Sequence, residues 1–180
     1  VYKRQMDKRM MLKPTAADGD SVQSGYSMND STVMRQSRLS RISEINVDLD
    51  GRYFNRYLGD GLILSTPTGS TAYSLSAGGP VVDPKLECMI LTPICSHSVF
   101  TRSLVLGDDA VLRIYSDDDG PLSVSCDGDE PFTVSAQGSI TVEKADICAS
   151  FIRLKNDSFV DILNRKMMKW NSSFHDEREV

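Results

Sequence analysis

Gly59-Asp-Gly-Leu-Ile-Leu-Ser-Thr-Pro-Thr-Gly-Ser-Thr-Ala-Tyr-Ser-Leu-Ser-Ala-Gly-Gly-Pro80 is the most informative stretch of the chain. Gly61 to Leu64 is a short apolar run, suited to a strand buried on both faces. It enters a loop crowded with hydroxyls: Ser65, Thr66, Thr68, Ser70 and Thr71. Pro67 fixes a turn there, and Gly69 permits a tight bend or a close backbone approach. Small residues and good helix formers from Thr71 to Ala77 predict a short helix starting near Ser70 or Thr71, ended by Gly78-Gly79-Pro80. A strand, a hydroxyl-rich loop and a helix start together offer N–H and O–H groups to a polar or anionic ligand. A plain helix-capping turn accounts for part of the same pattern, so both readings stay open on the residues alone.

Outward from this stretch, the pattern is that of strands. Ile45, Val47 and Leu49 alternate with Glu44, Asn46, Asp48 and Asp50, the period of a half-buried strand. Asp50-Gly51 supplies hairpin chemistry, and Tyr53 to Tyr57 runs back. Further strands are predicted at Val111 to Tyr115, Leu122 to Cys126, Phe132 to Val134, Ile140 to Val142 and Cys148 to Leu154. Acidic or glycine turns (Asp117 to Gly120, Asp127-Gly128-Asp129) separate several of them. Met10 to Leu12 reads as a strand stopped by Pro14, followed by a polar loop over 15–25 with a turn at Asp18-Gly19-Asp20. Short strands at roughly ten-residue spacing indicate a mainly β fold, a sandwich or a related all-β layer. One long helix breaks the pattern: Phe159, Leu163, Met167 and Trp170 form an apolar stripe, with Asn156 or Asp157 as N-cap. No second long helix is visible to cover it.

The chain has 180 residues, 40% hydrophobic, with a net charge of −5. That composition fits a globular protein and gives no basic footprint for nucleic acid. No apolar run approaches the ~20 residues of a membrane-spanning helix. A cytoplasmic location without nucleic-acid or membrane partners is the expectation. The four cysteines lack CxxC spacing and read as free, mostly buried thiols. Asn46 to Gly51 imitates half of an EF-hand loop, but the twelfth position, Tyr57, cannot be the required bidentate Glu. His97 and His175 have no ligand partners at helical spacing, and no Walker or GxGxxG motif occurs. No metal ligands are assigned.

The run from Gly59 to Val82 closely resembles the C-terminal domain of NAD kinases. Leu91-Thr-Pro-Ile-Cys-Ser-His97 is similar to the family's LTPICPH stretch, with Ser96 in place of proline. Ser103 to Leu106, Val124 to Gly128, Met28-Asn29-Asp30 and Leu39 to Ile42 extend the likeness over roughly residues 8 to 165. The resemblance implies a β-sandwich with a short helix after the STPTGSTAY loop. It further implies a C-terminal helix that returns to an α/β N-terminal domain this chain lacks. The division expected is a non-native leader (1–5), a connection (6–27), the NAD-binding sandwich (28–155), the returning helix (156–171) and a frayed tail (172–180).

The same resemblance implies phosphoryl transfer from ATP or polyphosphate, with a divalent metal such as Mg2+, to the 2′-hydroxyl of the adenosine ribose of NAD, giving NADP. The aspartate that serves that hydroxyl belongs to a GGDGT motif, which this chain does not contain. No catalytic residue is therefore assigned here, and the isolated chain is expected to be inactive. Carried over by position, Asn29, Asp30, Arg41, Asp60, Thr71, Ala72, Tyr73, Ser74, Leu75 and Ser76 would line the NAD site. Without the resemblance, Arg41 reads as a surface charge, Tyr73 as core and the neighbouring hydroxyls as caps. Leu58 and Asp129 depart from the arginine and glutamine that many members carry. The resemblance also implies a homodimer or homotetramer with an NAD site shared between subunits. A non-catalytic dinucleotide-binding or oligomerisation module is the alternative, and a relative in the wider lipid-kinase group a third reading.

Overall fold

The computed structural model describes residues 5–36, 43–96, 102–117, 120–154 and 157–176. Arg41, Asn156 and His97 lie outside them, as does the side chain of Trp170. Twelve strands make two six-stranded antiparallel sheets. The first has the order β2 (Ser21–Ser24), β1 (Gln5–Asp18), β12 (Ser139–Arg153), β9 (Leu112–Tyr115), β4 (Ser43–Leu49) and β5 (Arg52–Gly59). The second has the order β11 (Phe132–Val134), β10 (Leu122–Cys126), β3 (Asp30–Arg35), β6 (Gly61–Ser65), β7 (Cys88–Ile94) and β8 (Leu104–Gly107). Short α1 (Tyr73–Ser76) follows a single 3-10 turn at Gly69–Thr71, and α2 (Phe159–Asp176) comes last.

Alternation explains the sandwich. Ile45 and Val47 of β4, Leu112 and Ile114 of β9, and Ile140 and Val142 of β12 come from one sheet. They meet Val33, Leu62, Leu64, Met89, Leu91, Leu122 and Val124 of the other in one buried cluster. Each such side chain contributes roughly 1.5–3 kcal/mol by leaving water. In β6 the intervening Ile63 and Ser65 are buried too. Their face of the sheet is covered by the segment after β6, where Ser74 reaches Thr92 of β7. The apolar run at Gly61 to Leu64 is thus a central strand covered on both sides.

Turn chemistry is where the sequence places it. Asp50 and Gly51 both have positive φ (51° and 74°), the signature of a type I′ hairpin, and Val47 to Leu49 pairs back onto Arg52 to Asn55. Three expectations need correction. β1 does not stop at Pro14: Leu12 and Ser27 exchange backbone bonds, the Pro14 carbonyl accepts the Gly25 N–H, and Thr15 pairs with Ser24 in the same register. The proline costs the ladder one donor and no more. Residues 15–18 and 21–24 are accordingly a hairpin rather than a loop, turning at Gly19 (φ 59°). Residues 139–153 form one strand, not two: it lies between β1 and β9 in the sheet, and Lys144 in its charged middle is held by Glu87 and Asp108. Of the thiols, all free, only Cys88 and Cys126 are buried.

Chain contacts divide into a large unit, 8–149, and a small one, 1–7 with 150–180. In the small unit Arg153 binds the Asp7 carboxylate at 2.7 Å and the Asp157 carbonyl at 3.3 Å. The cap of α2 is Ser158, not Asn156 or Asp157. The Ser158 N–H and hydroxyl donate to Asp161, and the Asp161 N–H returns a bond to the hydroxyl, closing a capping box. Asp157 is instead paired with Arg165. Phe159, Ile162, Leu163 and Met167 are half-buried, while Met6, Phe151, Ile152, Leu154, Val160 and Met168 are exposed.

Candidate dinucleotide site

The loop leaving β6 and the segment entering β3 are built against each other. Ser65 pairs with Asp30 across the ladder, so Asn29 and Asp30 start their strand where β6 ends. Thr66 joins the two segments twice and braces its own loop once. Its N–H donates to the Asn29 carbonyl (2.9 Å), its hydroxyl donates to the Met28 carbonyl (2.6 Å), and that hydroxyl accepts the Gly69 N–H (3.1 Å). Gly69 is required by space: a Cβ there would lie 2.0 Å from the Asn29 carbonyl oxygen. The glycine thus allows the close approach anticipated for it.

The hydroxyls of this stretch divide into two sets. Ser70 is buried, donating to the Pro67 carbonyl at 2.7 Å and accepting the Val82 N–H at 3.0 Å. Ser74 is buried against Thr92, whose hydroxyl continues to Ser103. A Cβ at Gly79 would strike the Ser74 hydroxyl at 2.3 Å, so that glycine seats the helix on the sheet. Thr68, Thr71 and Ala72 are half-buried, as is Leu75, while Tyr73 and Ser76 are exposed. The first set holds the loop, while the Tyr73 and Ser76 hydroxyls lie on its exposed side. Helix α1 has only four residues, and Gly69, Ser70, Ala72 and Leu75 already give their N–H groups to oxygens within the loop. The helix-start amides expected to receive an anion are therefore largely used internally.

Asp30 is 7% exposed. Burial, and then the neighbouring Asp127 carboxylate, push its carboxyl above the ordinary aspartate range, against a weak bond from Thr32 at 3.4 Å. Opposite it the Ser65 hydroxyl is buried without a hydrogen-bond partner among the described residues. A raised carboxyl and an unsatisfied hydroxyl side by side are what a polar ligand would relieve.

Asp127 was read from the sequence as part of a turn and of the Val124 to Gly128 stretch, with no role at the site. Its carboxylate accepts the N–H groups of Met28 (2.7 Å), Asn29 (2.8 Å) and Asp30 (3.0 Å), and its own N–H donates to the Asp30 carbonyl (2.9 Å). The local signal was the Asp-Gly dipeptide; its partner lies 97 to 99 residues away.

Asp60 does not join this group. It lies at the opposite end of β6, where its N–H bonds the Ile94 carbonyl at 3.0 Å. Five residues of strand put it on the order of 16 Å from Ser65. The chain crosses there from one sheet to the other, and Cβ atoms at Gly59 and Gly61 would meet the Ile94 and Val33 carbonyl oxygens at 2.7 and 2.5 Å. The described residues contain no group of three or more His, Cys, Asp or Glu able to hold a metal ion.

Residues 28–154 match the model of the ATP-NAD kinase C-terminal domain. The chain belongs to this family. It is 36% identical over 170 residues to the NAD kinase of Thermoanaerobacter sp. (strain X514), covering 93% of this chain and 60% of that protein. It is 39% identical over 171 residues to the NAD kinase of Carboxydothermus hydrogenoformans, covering 94% and 60%. Among solved structures, yeast NADH kinase complexed with NADH aligns with a TM-score of 0.79 at 28% identity, over 90% of this chain and 48% of that one. An NAD kinase from Archaeoglobus fulgidus in complex with ATP aligns with a TM-score of 0.67 at 27% identity, over 83% and 55%. The chain spans about 60% of the length of the curated NAD kinases it matches, corresponding to their C-terminal part. The two six-stranded sheets, the short helix after the STPTGSTAY loop and the terminal helix are those of an NAD kinase C-terminal domain.

Proposed function

We propose that this chain is the dinucleotide-recognising part of an NAD kinase, which transfers a phosphoryl group from ATP or polyphosphate to the 2′-hydroxyl of the adenosine ribose of NAD. One observation carries the reading: Asn29-Asp30 and the loop from Ser65 to Ser76 are fastened together by Thr66 and Gly69. Asn29 and Asp30 then supply an amide and a carboxylate to sugar hydroxyls and adenine edges. Thr71, Ala72, Tyr73, Leu75 and Ser76 border the same ligand, and Ser74 acts beneath them by anchoring α1 to Thr92. ATP or polyphosphate would supply the phosphoryl group, with a divalent metal such as Mg2+ to neutralise its charge. This chain's part is to bind and orient the acceptor. The GGDGT aspartate that activates the hydroxyl would come from outside these 180 residues, so the chain alone binds NAD without turning it over.

The exposed Phe151, Ile152, Leu154, Val160 and Met168 of the small unit suit burial against the domain that carries that motif. Asp60, at the far end of β6, serves the site of a second copy in a homodimer or homotetramer. Calorimetric titration with NAD tests the binding role, and saturable uptake is expected. Mixing Asn29→Ala with Asp60→Ala chains tests the sharing. Each variant alone should bind weakly, and the mixture should regain a fraction of tight sites; a mixture no better than its components refutes the shared site.

A further inference from the structure

Asp127 stands at the first central position of the turn between β10 and β11. Its φ is 49° and that of Gly128 is 86°, and the Asp129 N–H closes the turn on the Cys126 carbonyl at 2.9 Å. Two positive φ values in succession make a type I′ turn, in which Asp and Asn are among the few tolerated side chains at the first place. An aspartate chosen for turn geometry alone has no need of a distant partner. Here both carboxylate oxygens are spent on three successive amides of the segment entering β3. The donors are Met28 and the two residues read as ligand contacts, Asn29 and Asp30.

The grip is two-sided. Asp127 holds the N–H groups of 28–30, while Thr66 holds the carbonyls of Met28 and Asn29. Together they leave the segment little freedom to rotate, and so set the directions of the Asn29 and Asp30 side chains. The bonds to Met28 and Asn29 lie at the surface. Without Asp127 those two amides would find water, and only the part-buried Asp30 amide would be left wanting. What water cannot supply is a fixed geometry.

We infer, on the strength of the dinucleotide-site reading above, that Asp127 is a positioning residue for NAD, fixing the backbone of Asn29 and Asp30 through the amides of residues 28–30. Asp127→Asn is the informative change. Asn keeps the turn conformation but replaces one acceptor oxygen by an NH2 group that faces the donors. The test uses the 180-residue chain, with NAD titrated calorimetrically, thermal unfolding recorded alongside, and amide exchange followed at 28–30. The expected result is a dissociation constant raised tenfold or more, faster exchange confined to 28–30, and a melting temperature within a few degrees of the parent. If the parent binds NAD and the variant binds as tightly, the inference fails while the site reading stands. If affinity falls only in proportion to a general loss of stability, Asp127 is structural and the inference is likewise overturned. A parent chain that takes up no NAD overturns the site reading and this inference with it.

Discussion

Replacing Gly69 by alanine tests the joint between the two halves of the site. The new methyl would lie 2.0, 2.4 and 2.6 Å from the oxygen, carbonyl carbon and Cα of Asn29, all backbone atoms that cannot swing aside. Relief needs a shift of about 1.4 Å, the difference between that 2.0 Å and the 3.4 Å at which ordinary contact begins. A movement of that size breaks the Thr66 bonds to the Asn29 and Met28 carbonyls, now 2.9 and 2.6 Å. Two lost hydrogen bonds cost about 1 kcal/mol each, and overpacking adds about 1–3 kcal/mol. At about 2–4 °C per kcal/mol for a chain of this size, the melting temperature should fall by roughly 6–20 °C. NAD affinity should fall with it, because Asn29 and Asp30 are displaced. Gly78→Ala is the control: its φ of 87° is strained for alanine, but a Cβ there meets nothing within 4 Å. It should cost only about 1–2 kcal/mol. A Gly69→Ala chain melting within two degrees of the parent, or lying above Gly78→Ala in stability, would refute the close-approach account.

Other perturbations separate folding from binding and probe acid sensitivity. Asp30→Asn removes a buried charge facing Asp127; the chain should melt higher at neutral pH yet bind NAD at least tenfold more weakly, as paired melting and calorimetry would show. Because the Asp30 carboxyl is raised in the folded chain, its destabilising contribution should fade as pH drops through that raised value, and the variant should lose its advantage there. Asp161 behaves oppositely. The Ser158 hydroxyl and amide hold its carboxyl below the ordinary range, so its support of α2 is complete above the unfolded value and disappears as pH falls through the folded one. Ser158→Ala keeps the backbone N–H, so it should move the Asp161 titration only part of the way up towards the ordinary range, and it should speed amide exchange in the first turn of α2, both visible by NMR. Leu64→Ala, at a fully buried position of β6, should cost about 2–5 kcal/mol in chemical denaturation.

Local patterns predicted much of the architecture. Ile45, Val47 and Leu49 declared a half-buried strand, Asp50-Gly51 its type I′ turn, and the stripe from Phe159 to Met167 a helix. The errors arose where distant partners override local signals. Pro14 interrupts β1 on paper, yet the exchange between Leu12 and Ser27 carries the pairing past it. Pro93 similarly hides β7. It lies beyond the last β7–β8 pair, Leu91 with Leu104, so its missing N–H costs that ladder nothing. The STPTGSTAY loop and Asn29-Asp30 were legible as separate motifs. Their joining through Thr66 was not, nor was the grip of Asp127, because sequence spacing carries no record of contacts made 38 or 97 residues away. Ser74 was assigned to the ligand by position, whereas its hydroxyl is turned inward to Thr92.

The most direct test of the central claim is an amide chemical-shift map recorded while NAD is titrated into the chain. Saturable shifts concentrated at 28–30 and 66–76, with a smaller set at 126–128, are the predicted result. Absence of shifts in those segments, or shifts confined to β12 and α2, would contradict the assignment of the dinucleotide site.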